Sequence, residues 1–545
     1  MAHLEPFWNK KRCHSYSYFN SAPPSDLVLV ALVPKKGKAM ETWSGLEPRS
    51  MSSLTVTVLL LSGRDTEVSI SIDSTVGDLK AVAEESLGQG CLTLVSMDGH
   101  VLDPDLHLSA AGLHDGETLS AVARQMKLAA TDRAFALWYL GGVVTRGHPK
   151  DGGQSQQIRN LTKVIEVHAT DHAFAAIVAD GSVATWGDLR YGGNSGEVQE
   201  HLQDVQEIQA TSFSFAAIVG IQREVVTWGD RVAGGDSSGV RAQLRNVKAI
   251  QASKAAFAAI LEDGVGSVVC WGDPRHGGDN LGVQDQLRNI KEIQATSSAF
   301  AALSGDGTVV TWGHPQYGGD SQEIQGELKH VCQIQASRRA FAAIRADGEV
   351  VAWGDQHCGG DSSSVQTQLK NVKQIQASFG AFAAILANGS VVAWGDQSRG
   401  GDCSNFSHLL RNVTQIQAGC AAFAAIRSDG SVISWGAPSY GGDSSYVQSQ
   451  LKGVQQIQAT RTAFAAILAD ETVVTWGDPD GGGDSRRVKD QLQGVKQIQA
   501  TSYAFAALLS DGTAITWGHS ECGGTRPQRQ VFGKSPPMSV PAKGT

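Results

Sequence analysis

VKQIQASFGAFAAILANGSVVAWGDQSRGG, residues 372–401, decides the fold. Lys373 to Ala377 alternates polar with apolar, the pattern of a half-buried strand. Ala381 to Ile385 is a run of small apolar residues around one Phe, which suits a strand covered on both faces where room is short. Ala387-Asn388-Gly389-Ser390 is a turn, Val391 to Gly395 a third strand, and Gly400-Gly401-Asp402 a second sharp turn. Three strands this short cannot bury their own faces, so the unit must pack on others like it.

Others like it fill most of the chain. The Trp of Trp-Gly recurs at Trp186, Trp228, Trp271, Trp312, Trp353, Trp394, Trp435, Trp476 and Trp517, and from Trp271 onward the period is 41 residues. The central Phe recurs at Phe174, Phe215, Phe257, Phe300, Phe341, Phe382, Phe423, Phe464 and Phe505. An earlier, worn copy has Phe135, with Arg146 where the Trp belongs. That makes nine good copies and one degenerate one, the last lacking its second half. After each Gly-Gly-Asp comes a short helical or turn segment. Ser363 with Gln366, and Ser445 with Gln448, have the spacing of a capping box. Leu369 or Leu451 then points inward.

A period near 40 residues punctuated by Gly and Trp suggests propeller blades. The GSVVTWG hairpin and the L-x-x-V-x-x-I-x-A lead-in resemble the regulator-of-chromosome-condensation repeat family, and still more its compact bacterial variants. The resemblance covers the whole array. It is strong for the AFAAI-LADGSVVTWG core and weak for GGDSS. It implies a β-propeller-like array over 134–525. Propellers have about four to eight blades, and nine or ten units exceed that. The array closes with an unusual number, forms a ring with spare units, or stays an open spiral. The worn first and truncated last copies are either one shared closing blade or caps.

Residues 53–124 form a different unit. LTVTVLLL (Leu54 to Leu61) and EVSISID (Glu67 to Asp73) make a hairpin. Ser74 and Thr75 cap a helix on which Val76, Leu79, Val82 and Ala83 share a face. LTLVSMDGHVL (Leu92 to Leu102) reads as a second hairpin, followed by a last strand. This order resembles ubiquitin-like β-grasp domains, as do Gly63, Lys80 and the pattern around Leu108, Gly112, Leu113, Gly116 and Leu119. No Gly-Gly tail follows near Arg124, so the resemblance implies a built-in domain rather than a conjugated modifier. Leu61 and Val95 are the candidate partner patch, against the alternative that both are core. The expected fold is thus mainly β: an α+β β-grasp domain, then the repeat array. Residues 1–52 read as a flexible extension, 125–133 as a linker and 526–545 as a disordered tail.

The formal net charge of −9 opposes polyanion binding as a main role. The eight cysteines form no C-x-x-C pair and fall at different places in the repeats, which favours reduced thiols in an intracellular protein, cytoplasmic or nuclear. No apolar stretch approaches the roughly 20 residues of a membrane span. Asp follows Trp-Gly at Asp188, Asp230, Asp273, Asp355, Asp396 and Asp478, and a second set runs Asp236, Asp279, Asp320, Asp361, Asp402, Asp443 and Asp484. Calcium needs six to eight converging oxygens, and a 41-residue spacing favours turn capping instead. The Trp set reads as packing between blades rather than a stacking platform.

No nucleophile, base and orienting group recur together, so no catalytic, cofactor or metal residue is assigned. Repeated residues serve the scaffold. Function then falls to the unrepeated loops: Arg190-Tyr191, Arg275-His276, Gln316-Tyr317 and Ser439-Tyr440. The expected function is a non-catalytic protein-interaction scaffold with protein partners, ubiquitin-pathway components or a small GTPase among them. Related propellers occur in HECT-type ligases, but the 20 residues after the array leave no room for a HECT domain. Guanine-nucleotide exchange on a small GTPase is one alternative, and a lectin-like ligand binder another.

Overall fold

A computed structural model describes residues 53–525, apart from 61–63, 88–91, 99, 101, 105, 124–125, 140–141, 155–157 and 159. The proposed extension and tail, and Leu61 and Gly63, lie outside the described residues. The chain divides into two compact units, with the boundary in the chain between 125 and 126.

The first unit has strands β1 (Ser53–Leu60), β2 (Asp65–Ser71), β3 (Leu92–Val95) and β4 (Glu117–Ala123), with helix α1 (Val76–Leu87). The sheet order is β2-β1-β4-β3, with β1 and β4 parallel. That is β-grasp topology. Val56, Val58, Leu119 and Leu94 on one sheet face meet Val76, Leu79, Ala83 and Leu87 of the helix. Thr75 caps α1 reciprocally: its hydroxyl accepts from Asp78 N–H (3.1 Å), and the Asp78 carboxylate accepts from Thr75 N–H (2.9 Å). Two expectations change. Val82 is exposed rather than on the buried face, because the inward stripe continues from Ala83 to Leu87. The second hairpin is looser than expected: among the described residues only its first arm is a regular strand, and the chain pairs back through Ser96 N–H to His100 O and Leu102 N–H to Leu94 O.

The second unit contains ten three-stranded antiparallel sheets. We number them as blades 1 to 10 in chain order, with first, second and third strands. In blade 7 these are Val372–Ala377, Ala381–Leu386 and Val391–Gly395. The first strand carries a bulge between Val372 and Gln374, which bends it. Asn371, just before it, sits at φ 55°, and the equivalent residue is Asn, Asp, His, Lys or Gly at positive φ in every blade from 2 to 10. Asn and Gly tolerate this left-handed conformation best, which explains the recurring Asn-Val.

Each blade has a bulky face and a slim one. Phe382 and Trp394 lie opposite each other across the strand pair, with ring centroids 5.2 Å apart. With Val372, Ile375 and Val392 they pack on Ala340, Ala342, Ile344 and Val350 of blade 6, and Leu369 closes the layer. Trp394 Nε1 then donates to Gly359 O, at the Gly-Gly turn of blade 6 (3.0 Å). Gly359 sits at φ 92°, and a Cβ there would lie 2.5 Å from the Phe382 ring. Glycine is therefore demanded twice, by backbone conformation and by the approaching ring.

The copies close into a ring. Ala504, Ala506, Leu508 and Ala514 of blade 10 receive Leu128, Phe135 and Leu137 of blade 1 in one buried cluster. Gly523 abuts Phe135 as Gly359 abuts Phe382. A slim face thus meets a bulky face at the closing joint as at the other nine. The worn and truncated copies do not share a blade; each forms its own three-stranded sheet. The segment read as linker, 125–133, supplies the first strand of blade 1 (Lys127–Ala130).

The S-x-x-Q capping box is also revised. Ser362, not Ser363, reaches Gln366 (2.9 Å), and Gln366 Nε2 donates to Val350 O (2.9 Å). The cap is Asp361, which accepts from Ser363 N–H (2.8 Å).

We predict that Gly359→Ala destabilises the array by more than about 2 kcal/mol, read as a lower unfolding midpoint and faster amide exchange in blades 6 and 7. Gly239→Ala, where nothing lies within 4 Å of the added Cβ, is expected to leave both unchanged.

Candidate protein-interaction face

The turn between first and second strands sets the geometry of one end of the ring. In blade 7 Ser378 accepts from Ala381 N–H (3.1 Å) and donates to Arg399 O (3.0 Å). That second bond ties the turn to the short 3-10 segment after the third strand. Thr170 does the same to Tyr191 O (3.1 Å), Ser253 to His276 O (2.8 Å) and Thr296 to Tyr317 O (3.0 Å). Two loops from each blade therefore lie side by side on one face.

All eight loop residues singled out from sequence are on this face. Arg190 and Tyr191 are in the segment Leu189–Tyr191, Arg275 and His276 in Pro274–His276, Gln316 and Tyr317 in Pro315–Tyr317, and Ser439 and Tyr440 in Pro438–Tyr440. They belong to blades 2, 4, 5 and 8 and do not form one cluster. Arg190 and Arg275 each fork onto their own cap, Asp188 (2.9 Å) and Asp273 (2.8 Å). Burial holds His276 below the usual histidine range. The Asp residues in both recurring sets serve as turn caps, as Asp396 accepting from Ser398 N–H and Asp402 from Ser404 N–H show.

The sequence reading missed the residues of the first turn. Backbone bonds link this turn from blade to blade: Asp132 N–H to Asp171 O, then Asp171 to Ser212, Lys254, Ser297 and Arg338. Phe379 N–H continues to Cys420 O, then Arg461, Ser502 and back to Asp132 O. Between these two runs, the Arg338 guanidinium lies over the Phe379 ring (5.9 Å). These bonds tie the turns of successive blades to one another. Their signal was available: the two residues that precede Ala-Phe, or Ser214-Phe215 in blade 3, form a different pair in every copy.

Blade 1 carries the exceptions. Arg146 replaces the indole that elsewhere reaches the preceding blade, and Trp186 Nε1 of blade 2 has no hydrogen-bond partner among the described residues. Carboxylates join these two joints instead. Asp132 takes Arg461 (3.2 Å) and Ser502 (2.9 Å), while buried Asp151 takes Arg133 (2.8 Å), His148 (2.9 Å) and His172 (2.9 Å). Desolvation and then the neighbouring Asp132 carboxylate push Asp171 up to about 7. The hydrogen bond to Asp151 raises His172, against its desolvation.

In the β-grasp unit Val95 is half-buried and pairs with Ser120, which pairs in turn with exposed Leu59. Leu59 is thus the neighbour of the expected patch that sequence overlooked. The outer sheet face around them is rich in hydroxyls, with Thr55, Thr57, Ser69 and Thr118. Six cysteines, Cys270, Cys332, Cys358, Cys403, Cys420 and Cys522, are free thiols, and Cys13 and Cys91 lie outside the described residues. Among the described residues no helix is long and apolar enough to cross a membrane.

Among solved structures, the chain has distant similarity to RCC1-type proteins and to ubiquitin-like ones. Prp20p from Saccharomyces cerevisiae is 16% identical, with 50% of this chain and 83% of that chain covered and a TM-score of 0.29. Yeast RCC1 (Prp20) bound by Kap60 is 20% identical over 44% and 72%, with a TM-score of 0.29. A de novo design based on ubiquitin is 24% identical over 14% of this chain and 94% of its own, with a TM-score of 0.13. No family model matches the chain, and neither does any curated protein.

Asp171 fixes the sign of a pH effect. Its folded-state value is raised above the roughly 3.9 of an unfolded Asp, so its contribution to stability is complete below about pH 4 and lost as pH rises through about 7. His172, also raised, acts in the same sense. Asp132, Ser212, His172 and Arg461 are the groups that act on Asp171. The unfolding midpoint is expected to fall between pH 5 and pH 8, and Asp171→Asn to flatten that slope; a steeper slope in the variant contradicts the assignment.

Proposed function

We propose that the chain is a non-catalytic protein-interaction scaffold. Its array binds a protein partner through the turn face, and the β-grasp unit, ubiquitin-like in this reading, docks ubiquitin-pathway or other adaptor machinery. One observation carries the first part. Phe, Trp, Ala and Gly at the repeated positions are consumed by blade packing, whereas the turn after the first strand and the 3-10 segment after the third, both of which change from copy to copy, lie side by side on one face. Tyr, Arg and Phe on that face are the types that dominate protein interfaces. The RCC1-like fold supports the same class of partner: Prp20p binds Gsp1p and histones. Leu59 and Val95, flanking Ser120, are the proposed docking patch of the β-grasp unit.

The test is affinity capture with the full chain and two variants. One replaces Tyr191, Arg275, Tyr317 and Tyr440 with Ala on the turn face. The other replaces Asp180, Asp347 and Asp429 with Ala in the hairpin turns between second and third strands. The first is expected to lose at least about tenfold of captured partner, the second none. Equal loss from both sets contradicts the reading. Guanine-nucleotide exchange is the second reading, supported by fold alone; failure to accelerate nucleotide release from any member of a small-GTPase panel retires it.

A further inference from the structure

We propose that blades 2 to 4 of the turn face form a docking site for an acidic peptide segment with apolar side chains. The site is a row of rings capped by cations. The His172 and Tyr191 ring centroids are 5.0 Å apart, and those of Tyr191 and Phe213 5.3 Å. Lys254 Nζ lies 5.8 Å from the Phe213 centroid, and the Arg190 guanidinium 5.0 Å from that of Tyr191. The row crosses three blades, because His172 and Tyr191 come from blade 2, Phe213 from blade 3 and Lys254 from blade 4. Leu189 (64% exposed) and Val232 (66%) flank it, apolar side chains that no blade interface uses.

Charge here is layered. The carboxylates lie low and are engaged: Asp188 accepts from Arg190 N–H, Asp230 from Ala233 N–H and Asp273 from Arg275 N–H, while Asp151 is buried beneath His172. The cations stand high, with the Arg190, Arg231 and Arg275 side chains 74%, 77% and 80% exposed. Glu197, paired with Arg231 at 3.8 Å, and Asp236, which feels the same arginine, are exposed carboxylates beside them. The side chains that project furthest around the aromatic and aliphatic strip are therefore cationic, with Lys254 beside the rings. Glutamate or aspartate pairs with the rim, and leucine- or phenylalanine-type side chains cover the rings. Single-stranded nucleic acid also stacks on aromatics beside cations. What favours the acidic peptide is that the flanking Leu189 and Val232 offer aliphatic surface rather than a base-stacking plane.

The inference rests on the scaffold reading and narrows it to one partner chemistry. The probe is a fluorescein-labelled peptide of alternating glutamate and leucine, titrated against the full chain. Lysine-for-glutamate and uridine oligonucleotide controls accompany it. The acidic peptide is expected to bind, with affinity falling about tenfold between about 50 and 300 mM salt. Lys254→Glu, a surface change that leaves the rings in place, should weaken binding at least about tenfold, as should Phe213→Ala. Asp429→Ala, in the hairpin turn of blade 8 away from this face, should not change it. Binding of the oligonucleotide or the lysine peptide instead, or no binding of any probe, overturns the proposal. If Phe213→Ala nevertheless loses the captured partner in the preceding experiment, only the partner chemistry is wrong. If it loses neither, blades 2 to 4 are not the site.

Discussion

Every joint in the array depends on the same asymmetric contact. A bulky face of Phe, Ile and Val enters a slim face of Ala, and at eight of the ten joints the indole is fixed to a glycine carbonyl of the blade before. The two faces of one blade are different, so the contact is head-to-tail, and head-to-tail contacts either spiral or close. Closure requires only that the last slim face meet the first bulky one. Here Ala504 and Ala506 meet Phe135. No strand is exchanged between the ends of the array, so closure adds the same kind of buried surface as any other joint and needs no special covalent or topological device.

The repeated residues follow from that contact. Burying one Phe contributes about 1.5–3 kcal/mol, and the benefit holds only while the opposing face stays thin. Alanine supplies thinness within the strand. Glycine supplies it where the ring meets backbone, and there its positive φ also turns the chain back toward the next blade. Blade 1 shows what happens when one partner changes. Without an indole at Arg146, Asp132 reaches Ser502 and Arg461 through charged hydrogen bonds. Such bonds are stronger than neutral ones but respond to pH, so this joint is fastened differently from the rest.

Much of this was legible in sequence and some was not. Three-stranded units were readable from the alternation of Lys373 to Ala377 and the buried run Ala381 to Ile385, because period and burial act within a few residues. Closure was not, since the rotation per blade accumulates from side-chain volumes that no local pattern displays. The start of the array was placed too late because KLAA (Lys127–Ala130) is too short to show alternation and precedes a copy lacking its Trp. At the candidate face, the 3-10 loop residues were found because they break the repeat. The adjoining turn residues Asp132, Phe213, Lys254 and Arg338 break it equally. They went unnoticed because two-residue turns draw little attention until the bonds joining them are seen.

Net charge is a poor guide to what this array meets. Blade 6 spends Asp347, Asp355 and Asp361 on three turns, each accepting a backbone N–H two residues on. Similar aspartates recur in most other blades, so an acidic composition is a by-product of turn chemistry repeated ten times. The β-grasp stretch 53–123 adds eleven acidic residues against two basic ones. A partner approaching within a Debye length, about 8–10 Å at physiological salt, responds to what projects rather than to the sum. On the turn face of blades 2 to 4 the aspartates are low and bonded to backbone, and the arginines are high. Fixing acids in the turns leaves the tips of those same turns to carry side chains of the opposite sign, and in that way a scaffold acidic in total still projects arginines toward a partner.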